Sequence, residues 1–324
     1  MMKPILLSIV IPVYNQASLL QRCLHSLRDA DVAERLQVVI VDDGSSDEQQ
    51  TRLLSLSRID GLNACVIRTS HQGASEARNR GIDAAHGDYV WFVDADDSVD
   101  PVAFRQMFSI LENMTDSADL IHTGAMQSDS NKKGDMTRNN VVLKKVDCAM
   151  LLVPRTACLD HTTYIVNRNL FVRHPSLRYP VGRQLLEDSV FVLLLLECAE
   201  TIYEAEECHP YVRHRESGSH TAGAWNEERC DLLVPDIDFF FDNLTDFLRS
   251  HPDYPRLESL FNRYCYLYLR VLSVKGCPWR LLSAFRDRQS GRGYSPATIK
   301  EKILFNRHFL RLLSDICHTF RAIR

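Results

Sequence analysis

Two aspartates separated by one residue, Asp94 and Asp96, follow a short apolar run at residues 89–93. Carboxylates at positions i and i+2 of a turn can both reach one hard divalent cation through oxygen. Such a cation would bridge the two phosphates of a nucleotide sugar and stabilise charge on a departing diphosphate. Because solvated turns often carry the same triplet, the rest of the chain has to decide whether Asp94 and Asp96 form a metal site.

A second acidic pair, Asp42 and Asp43, follows the buried apolar run 36–41. A carboxylate at that place can accept hydrogen bonds from a uracil-type base or from a ribose hydroxyl. The same loop carries a helix N-cap signal in Ser46 and Asp47, and we expect different residues of the loop to serve the two roles. No Gly-x-Gly-x-x-Gly or Walker-type loop follows the first apolar run, so the sequence indicates neither a dinucleotide nor a nucleoside triphosphate site.

A third acidic pair, Glu187 and Asp188, stands directly before an apolar run that ends near Cys198. A carboxylate there could act as a general base and remove the proton of an attacking hydroxyl. Alternatively, the pair could merely open a helix, since the helix dipole favours acidic side chains in the first turn. The two interpretations are compatible, because a helix N-terminus also fixes the side chain.

A basic, hydroxyl-rich segment comes later in the chain and contains Tyr211, Arg213, Arg215 and Ser219-His220-Thr221. Arginine suits contact with a diphosphate because its planar fork matches phosphate oxygens. A solvated basic loop is the competing interpretation, and the residues alone do not decide between the two.

The elements that must position these residues alternate along the first 95 residues. Apolar runs typical of buried strands lie at 6–13, 36–41, 62–68 and 89–93, with helical patterns between them. This alternation predicts an α/β fold with a doubly wound, mostly parallel sheet. Ligands of such sheets bind beyond the carboxyl ends of the strands. We therefore expect three polar clusters to converge on one site: Tyr14-Asn15, Asp42-Asp43 and Asp94 to Asp97.

The composition excludes several classes of protein. The chain has 324 residues, 45% of them hydrophobic and 25% charged, with a net charge of −4, so it can bury a core and has no overall attraction to nucleic acid. Its ten cysteines include no Cys-x-x-Cys pair, which favours reduced thiols in a cytoplasmic protein over zinc ligands or a disulfide framework. No apolar run of 18 residues occurs, and the N-terminal run is interpreted as a strand rather than a signal peptide.

In their order and spacing, four segments resemble the family 2 glycosyltransferases with the GT-A fold: SIVIPVYN at 8–15, VVIVDDGSSD at 38–47, GASEARNRGIDAAHGDYVWFVDADD at 73–97 and LLEDSVF at 185–191. The resemblance covers residues 5–220 and is closest to bacterial enzymes that build capsule or O-antigen. It implies a GT-A domain at 1–222, in which 1–100 bind the nucleotide sugar and 101–222 supply the acceptor side and the catalytic base. A helical C-terminal region at 223–324 would follow.

The resemblance also assigns roles residue by residue. Donor binding falls to residues at the strand ends, on the helix after the third strand and in the later basic segment: Pro12, Tyr14, Asn15, Asp42, Asp43, Arg78, Asn79, Asp94, Arg213 and Arg215. Asp94 and Asp96 form the family's DxD motif, which binds Mn²⁺ or Mg²⁺, and Asp96 is the first choice as direct ligand. Asp188 matches the position of the catalytic base.

The implied reaction is inverting, metal-dependent transfer from a nucleotide-diphosphate sugar, with a UDP-sugar expected, to a hydroxyl of a lipid-linked glycan. The work would take place at the inner face of the cell membrane. The Gln-x-x-Arg-Trp motif of processive synthases is absent before Trp225, so we expect single-sugar addition. The sequence also departs from the family at His71, where Asn is common.

Two other classes of function compete with this one. A sugar-nucleotide nucleotidyltransferase would need a Gly-rich loop bearing Arg or Lys after the first strand, and PVYNQASLL offers none. A degenerate, non-catalytic carbohydrate-binding protein is the other alternative. The intact residues Asp94, Asp96 and Asp188 argue against it.

The C-terminal residues 299–324 show apolar side chains at helical spacing with basic residues between them. The last 50 residues hold eleven Lys or Arg against three Asp or Glu. Such a basic amphipathic helix could pack on the transferase domain or lie on an anionic membrane surface. The charge excess favours the membrane surface, near a lipid-linked acceptor.

Overall fold

The computed structural model of the chain describes residues 4–59, 61–128, 141–152, 159–214, 227–251 and 279–292, together with 264–265, 267–269, 272 and 277. The chain divides into two compact units. The first comprises Met1–Cys148, Cys158–Gly182 and Leu194–Glu216, and the second Ala149–Ala157, Arg183–Leu193 and Ser217–Arg324. The predicted domain boundary at residue 222 lies outside the described residues, so it stays a prediction.

The first unit contains an eight-stranded sheet, and its first four strands are those that the sequence predicts. They run parallel to one another in the order β3-β2-β1-β4: β1 Leu7–Val13, β2 Leu36–Asp42, β3 Ala64–Arg68 and β4 Tyr89–Phe92. Every residue of β1 and β2 except Pro12 is buried. Burial on both faces explains why these strands are mostly apolar rather than alternating. The exceptions are Asp42 at the end of β2 and the pair Ser8 and Gln37, in which Ser8 Oγ donates a hydrogen bond to Gln37 Oε1.

The helices between these strands confirm the α/β alternation. They are α1 Ala17–Asp29, α2 Asp47–Leu56 and α3 Ala74–Ala84. Helix α3 packs directly on β1 at Gly81, where an added Cβ would lie only 2.1 Å from Cγ1 of Val10. A side chain at that position would push the helix off the sheet. The close approach places the preceding turn of α3 beside the carboxyl ends of the strands.

The remaining elements of the first unit make the large sheet mixed and add a second, small sheet. Strand β9 (Tyr164–Asn167) is antiparallel to both β4 and β6 (Leu120–His122), and β10 (Ile202–Glu206) and β8 (Val142–Val146) complete the sheet. The three-stranded sheet has the order β5-β11-β7, from Ser98–Val99, Tyr211–Arg213 and Ala125–Gln127. The helices here are α4 Pro101–Asn113, α5 Cys148–Leu152, which continues into the second unit, and α6 Arg168–Arg173.

Most of the described residues of the second unit are helical, whereas the segment 183–186, which precedes α7, is not. Helix α7 (Glu187–Cys198) begins in it, and α8 (Glu227–Ser250) and α9 (Trp279–Gly291) follow. The aromatic side chains of Phe240, Phe241 and Phe285 are buried and pack α8 against α9. Along the described part of the chain, no helix is long and apolar enough to cross a membrane. Residues 299–324 lie outside the described part, so the predicted amphipathic helix stays a prediction.

Candidate active site

The polar turns after β1 and β2 are joined by a reciprocal pair of hydrogen bonds. The Asn15 N–H donates to Ser45 Oγ at 2.9 Å, and Asn15 Oδ1 accepts from the Ser46 N–H at 2.9 Å. Asn15 has a positive φ of 54°, a left-handed conformation that Asn adopts more readily than most residues. Two of the three clusters that the sequence predicts to converge are therefore brought together at the carboxyl edge of the sheet.

Asp43 holds the loop that follows β3. Its carboxylate accepts hydrogen bonds from three groups of that loop at 2.7–2.8 Å: Thr69 Oγ1, the Gln72 N–H and the Gly73 N–H. The ring nitrogen Nδ1 of His71 also lies 3.4 Å from Asp43 Oδ2, so four groups surround this carboxylate. The predicted contact of Asp43 with the base stays a prediction, but the structure adds a loop-fixing task that the sequence does not reveal.

Asp42 ends β2 with a fully buried side chain. Its Oδ1 accepts from the Ser45 N–H at 2.9 Å, whereas its Oδ2 has no hydrogen-bond partner among the described residues. A buried carboxylate oxygen without a partner is costly. Asp42 therefore carries an acceptor that the described residues leave unsatisfied, while its contact with a base or ribose stays a prediction.

Tyr14 and His71 form a stacked pair at the same edge, with ring centroids 4.1 Å apart. The Tyr14 side chain is 44% exposed, and Nδ1 of His71 lies 3.0 Å from the carbonyl oxygen of Asp43. The backbone at Gly44 lies close to the backbone at His71. A Cβ on Gly44, whose φ is +77°, would lie 2.9 Å from the backbone nitrogen of His71. The departure from the family at His71 thus supplies an aromatic neighbour for Tyr14.

The third cluster joins the site through Arg78 of α3. Its Nη2 donates to Asp94 Oδ1 at 2.9 Å, and the Arg78 side chain is buried. The neighbouring Asn79 uses its amide differently, since it donates to the Tyr179 carbonyl at 3.0 Å and accepts from the Tyr179 N–H at 2.8 Å. Donor contact by Asn79 stays a prediction. The two hydrogen bonds of its side chain indicate that it fixes the backbone of Tyr179.

Arg78 decides the charge of Asp94. Burial alone would raise the pKa of this carboxyl, but the positive charge of Arg78, aided by Arg213, holds that pKa below its usual range. His161 lies beside the same carboxylate, with Nε2 3.8 Å from Asp94 Oδ1, and burial lowers the pKa of this imidazole to about 3. At neutral pH the site therefore contains an ionised Asp94 and a neutral His161.

Asp97, the last aspartate of the predicted cluster, has partners that its sequence neighbours do not reveal. Its buried carboxylate accepts from the Tyr211 hydroxyl at 2.5 Å and from the His214 N–H at 2.8 Å. Burial and the nearby charges of Asp94 and Asp96 outweigh these bonds and raise the pKa of Asp97 to about 6. Asp97 therefore anchors β11 to the end of β4.

Arg213 on β11 reaches the same region. Its guanidinium pairs with Asp160 and donates to Thr162 Oγ1 at 3.2 Å. The sequence offers no pattern that predicts Asp160 and Thr162 as partners, because they lie more than 50 residues away. Arg215, the second predicted phosphate contact, lies outside the described residues.

Asp94 and Asp96 have the chemistry of metal ligands. Carboxylate oxygens suit Mg²⁺ and Mn²⁺, and Asp94 is already ionised. No group of three or more His, Cys, Asp or Glu in the described part of the chain could hold a metal by itself. A site with one or two carboxylates is nevertheless what a cation shared with substrate phosphates needs, so the residues fit the predicted ion.

Asp188, the predicted base, lies in the first turn of α7 within the second unit. Its Oδ1 accepts from the Ser189 N–H at 2.7 Å. Burial raises the pKa of the Tyr268 phenol, and the negative charge of Asp188 contributes to this rise. These contacts show a carboxylate fixed at a helix N-terminus, while its role as base stays a prediction.

Comparison with solved structures identifies related folds. The Staphylococcus aureus TarS fragment 1–349 in complex with UDP-GlcNAc matches with a TM-score of 0.57 at 17% identity, covering 99% of this chain and 93% of that one. The mannosyltransferase PcManGT from Pyrobaculum calidifontis, in complex with GDP-Man and Mn²⁺, gives a TM-score of 0.56 at 14% identity, with 98% and 89% coverage. At these identities the likeness establishes the predicted GT-A fold and nothing finer.

Sequence relatives point the same way. The amylovoran biosynthesis glycosyltransferase AmsB of Erwinia amylovora is 40% identical over 121 residues, which are 36% of this chain and 40% of AmsB. The uncharacterized glycosyltransferase EpsJ of Bacillus subtilis is 28% identical over 208 residues, which are 62% of this chain and 59% of EpsJ. The chain thus spans about two fifths of the length of AmsB and three fifths of that of EpsJ.

The family model of glycosyl transferase family 2 matches residues 8–169. That range is half of the chain and runs from β1 through β9, so it contains all three converging clusters and the Arg78–Asp94 pair. This chain therefore belongs to glycosyl transferase family 2.

Proposed function

We propose that this chain transfers one sugar at a time from a nucleotide-diphosphate sugar to an acceptor hydroxyl, with inversion at the anomeric carbon. The observation that carries the proposal is the Arg78–Asp94 pair at the end of β4, beside Asp96. It keeps a carboxylate ionised at the sheet edge where the polar turns after β1 and β2 also meet. Carboxylates and arginines at one sheet edge suit a ligand that carries both a nucleoside and a diphosphate.

The donor is proposed to be a UDP-sugar. Asp42 and Asp43 would accept hydrogen bonds from the uracil or the ribose, and the exposed Tyr14 ring would contact the nucleoside beside Pro12 and Asn15. Arg213, with Arg215, would contact the diphosphate. UDP-GlcNAc in the TarS structure and GDP-Man in the PcManGT structure support a nucleotide-sugar donor. The choice of uracil rests on the acceptor atoms of the Asp42–Asp43 turn.

Asp94 and Asp96 would hold Mn²⁺ or Mg²⁺. When bound, the ion supplies Lewis-acid stabilisation of negative charge on the leaving diphosphate. Arg78 fixes the Asp94 carboxylate and keeps it ionised, and Arg22 donates to the backbone carbonyl of Asp96. Both arginines thus hold the DxD turn itself. The Mn²⁺ in the PcManGT structure supports the proposal.

Asp188 is the proposed base. As the acceptor oxygen bonds to the anomeric carbon, the bond from that carbon to the diphosphate oxygen breaks, and the acceptor proton passes to the Asp188 carboxylate. Attack opposite the leaving group inverts the configuration. Support comes from the position of Asp188 in the first turn of α7, where the Ser189 N–H fixes its Oδ1.

The acceptor is proposed to be a lipid-linked glycan at the inner face of the membrane. Supporting this, the relative AmsB is named for amylovoran biosynthesis, and another relative from Bacillus subtilis is named as the minor teichoic acid biosynthesis protein GgaB. GgaB is 23% identical over 283 residues, which are 85% of this chain and 29% of GgaB. The basic residues of 299–324 would hold the protein near such an acceptor.

A thermal-shift screen of nucleotide sugars with Mn²⁺ or Mg²⁺ tests the donor. A ligand that binds only the folded state raises the unfolding temperature by mass action, so the correct donor should stand out. Slow hydrolysis of that donor, followed by NMR of the released sugar, then reports the anomeric configuration. Formation of a nucleotide sugar from a sugar phosphate and a nucleoside triphosphate would instead establish a nucleotidyltransferase. Donor binding without transfer or hydrolysis would establish a binding protein.

A further inference from the structure

Asp236 of α8 holds the segment that leads into α7. Asp236 is 5% exposed, and its Oδ2 accepts hydrogen bonds from the backbone N–H groups of Gln184 at 2.8 Å and Leu185 at 3.2 Å. Its Oδ1 accepts from Arg183 Nη1 at 3.1 Å. One buried carboxylate therefore satisfies three donors from three consecutive residues, all within the second unit.

Arg183 strengthens this attachment through a second residue of α8. Its guanidinium lies 4.3 Å from the ring centroid of Phe239, one helical turn beyond Asp236. Arginine stacks well on aromatic faces while it pairs with a carboxylate, so the two contacts reinforce each other. The segment 183–185 is thus fixed against one face of α8.

The next residue, Leu186, has a backbone conformation that needs such support. Its φ is +63°, which is unfavourable for a branched side chain. Strained residues of this kind persist only where surrounding contacts over-determine them, and they cluster at functional sites. The Leu186 carbonyl accepts from the Val190 N–H at 3.0 Å, so this residue sets where α7 begins. Asp188 follows two residues later, in the first turn of α7.

We infer that Asp236 is a positioning residue for the reaction and acts through Asp188. Its three hydrogen bonds hold 183–185 so that Leu186 keeps the left-handed conformation and α7 starts at Glu187. Loss of the Asp236 charge lets Leu186 relax to a negative φ, which turns the first residues of α7 and moves the Asp188 carboxylate. The inference rests on the proposed role of Asp188, and it extends that role to α8, beyond the family-matched residues 8–169.

The test compares Asp236→Asn with Asp242→Asn in the full chain. Asp242 lies on the same helix, with an exposed side chain that pairs with Arg292. We expect Asp236→Asn to lower kcat at least tenfold and to leave donor affinity unchanged, since the proposed donor residues all lie in the first unit. Asp242→Asn should change neither. A kcat within twofold of wild type for Asp236→Asn would overturn the inference.

A double-mutant cycle separates this inference from the proposed base. If Asp236 acts through Asp188, then Asp236→Asn should cost almost nothing further in an Asp188→Asn background. If the rate losses of Asp236→Asn and Asp188→Asn multiply in the double variant, the inference is overturned, whereas the proposed role of Asp188 as base is unaffected. Full turnover of Asp188→Asn alone would overturn the base itself, and with it the inference.

A second substitution guards against a purely structural effect. Glycine adopts a φ of +63° without a Cβ penalty, so Leu186→Gly should restore part of the lost kcat when combined with Asp236→Asn. The kcat values of Asp236→Asn and of the double variant are compared at a temperature where both proteins are folded. The restoration should therefore appear even if Asp236→Asn lowers the unfolding temperature. A Leu186→Gly, Asp236→Asn protein no more active than Asp236→Asn would contradict the inference.

Discussion

Asp94 keeps its charge in a partly buried turn because Arg78 lies 2.9 Å away, and the adjacent Asp96 shares this turn. The charge, burial and hydrogen bonds of each carboxylate in the proposed site can be changed by a single substitution. The effect of each carboxylate on the reaction rate can therefore be measured separately.

Asp96→Ala should abolish transfer and leave the fold intact, because a half-buried loop carboxylate contributes little to the core. Loss of one ligand to a charge-stabilising ion should cost about 3 kcal/mol or more of barrier, a rate loss of roughly 10²-fold. Steady-state rates with Mn²⁺ or Mg²⁺ measure the effect. Asp29→Ala is the control, because it removes an exposed carboxylate outside the proposed site. Full activity of Asp96→Ala, or of the wild type in excess EDTA, would contradict metal dependence.

Asp188→Asn should retain donor binding and lose turnover by roughly 10²-fold or more, the usual contribution of a general base. Glu187→Gln is a matched control because it changes the neighbouring carboxylate of the same helical turn. Binding by thermal shift and kcat by product formation separate the two steps. If donor affinity collapses while turnover at saturation survives, Asp188 is a binding residue.

At the scale of elements, β11 is the clearest case of an element held by a side chain. The Tyr211 hydroxyl and the His214 N–H both donate to the buried Asp97, and Arg213 lies between them on the same strand. The position of Arg213 therefore depends on Asp97, which belongs to the turn that carries Asp94 and Asp96.

Tyr211→Phe removes the hydroxyl that donates a hydrogen bond to Asp97. A buried acceptor left without its partner costs about 1–3 kcal/mol, so the free energy of unfolding should fall by that amount. If Arg213 contacts the diphosphate, donor affinity should fall as well. Urea denaturation and donor titration measure the two effects, with Tyr203→Phe on β10 as control. Unchanged stability and affinity would show that the anchor is dispensable.

Some strands of the fold could be predicted from the sequence pattern and others could not. Strands β1, β2 and β4 could be predicted because burial on both faces makes each of them mostly apolar, with few polar residues inside the run. The place of β9 could not, since a run of four residues does not reveal which strands it pairs with, here β4 and β6. The candidate site divides in the same way. Strand-end aspartates are visible in the sequence, whereas Tyr211 as partner of Asp97, 114 residues away, depends on the folded chain.

At the scale of the whole molecule, buried histidines couple stability to pH. His122 of β6 is largely buried against the Tyr164 ring, with centroids 5.0 Å apart. Burial lowers the pKa of His122 from 6.5 to about 4. Between these two pH values the unfolded chain binds a proton that the folded chain does not. Stability is therefore lost as the pH falls from 6.5 toward 4.

His122→Phe should flatten this dependence, because phenylalanine cannot bind the proton. Between pH 7 and pH 4.5 the variant should lose about 2 kcal/mol less of its unfolding free energy than the wild type. Urea denaturation followed by fluorescence of the buried Trp91 measures both proteins. The same substitution at the exposed His86 is the control. Parallel stability curves for His122→Phe and the wild type would contradict the assignment.

The basic end of the chain gives a further prediction for the whole molecule. A basic amphipathic helix at 299–324 should bind liposomes that contain anionic lipid, because each Lys or Arg near such a surface contributes about 1 kcal/mol. Co-sedimentation should weaken with salt and vanish on deletion from Ser295. Equal binding by the truncated chain, or none by the full-length one, would indicate instead that the helix packs on the protein.

The place of β9 between β4 and β6 has a consequence for synthesis on the ribosome. Translation reaches Tyr164 about 70 residues after β4 is complete, which takes roughly 4–14 s at about 5–20 residues per second. During that interval β4, Tyr89–Phe92, presents the unpaired backbone N–H and C=O groups of the edge that later pairs with β9, and unpaired edges of apolar strands favour aggregation. Codons that slow the ribosome between residues 93 and 163 would lengthen the exposure. Silent substitutions there would lower the yield of folded protein while leaving its kcat unchanged.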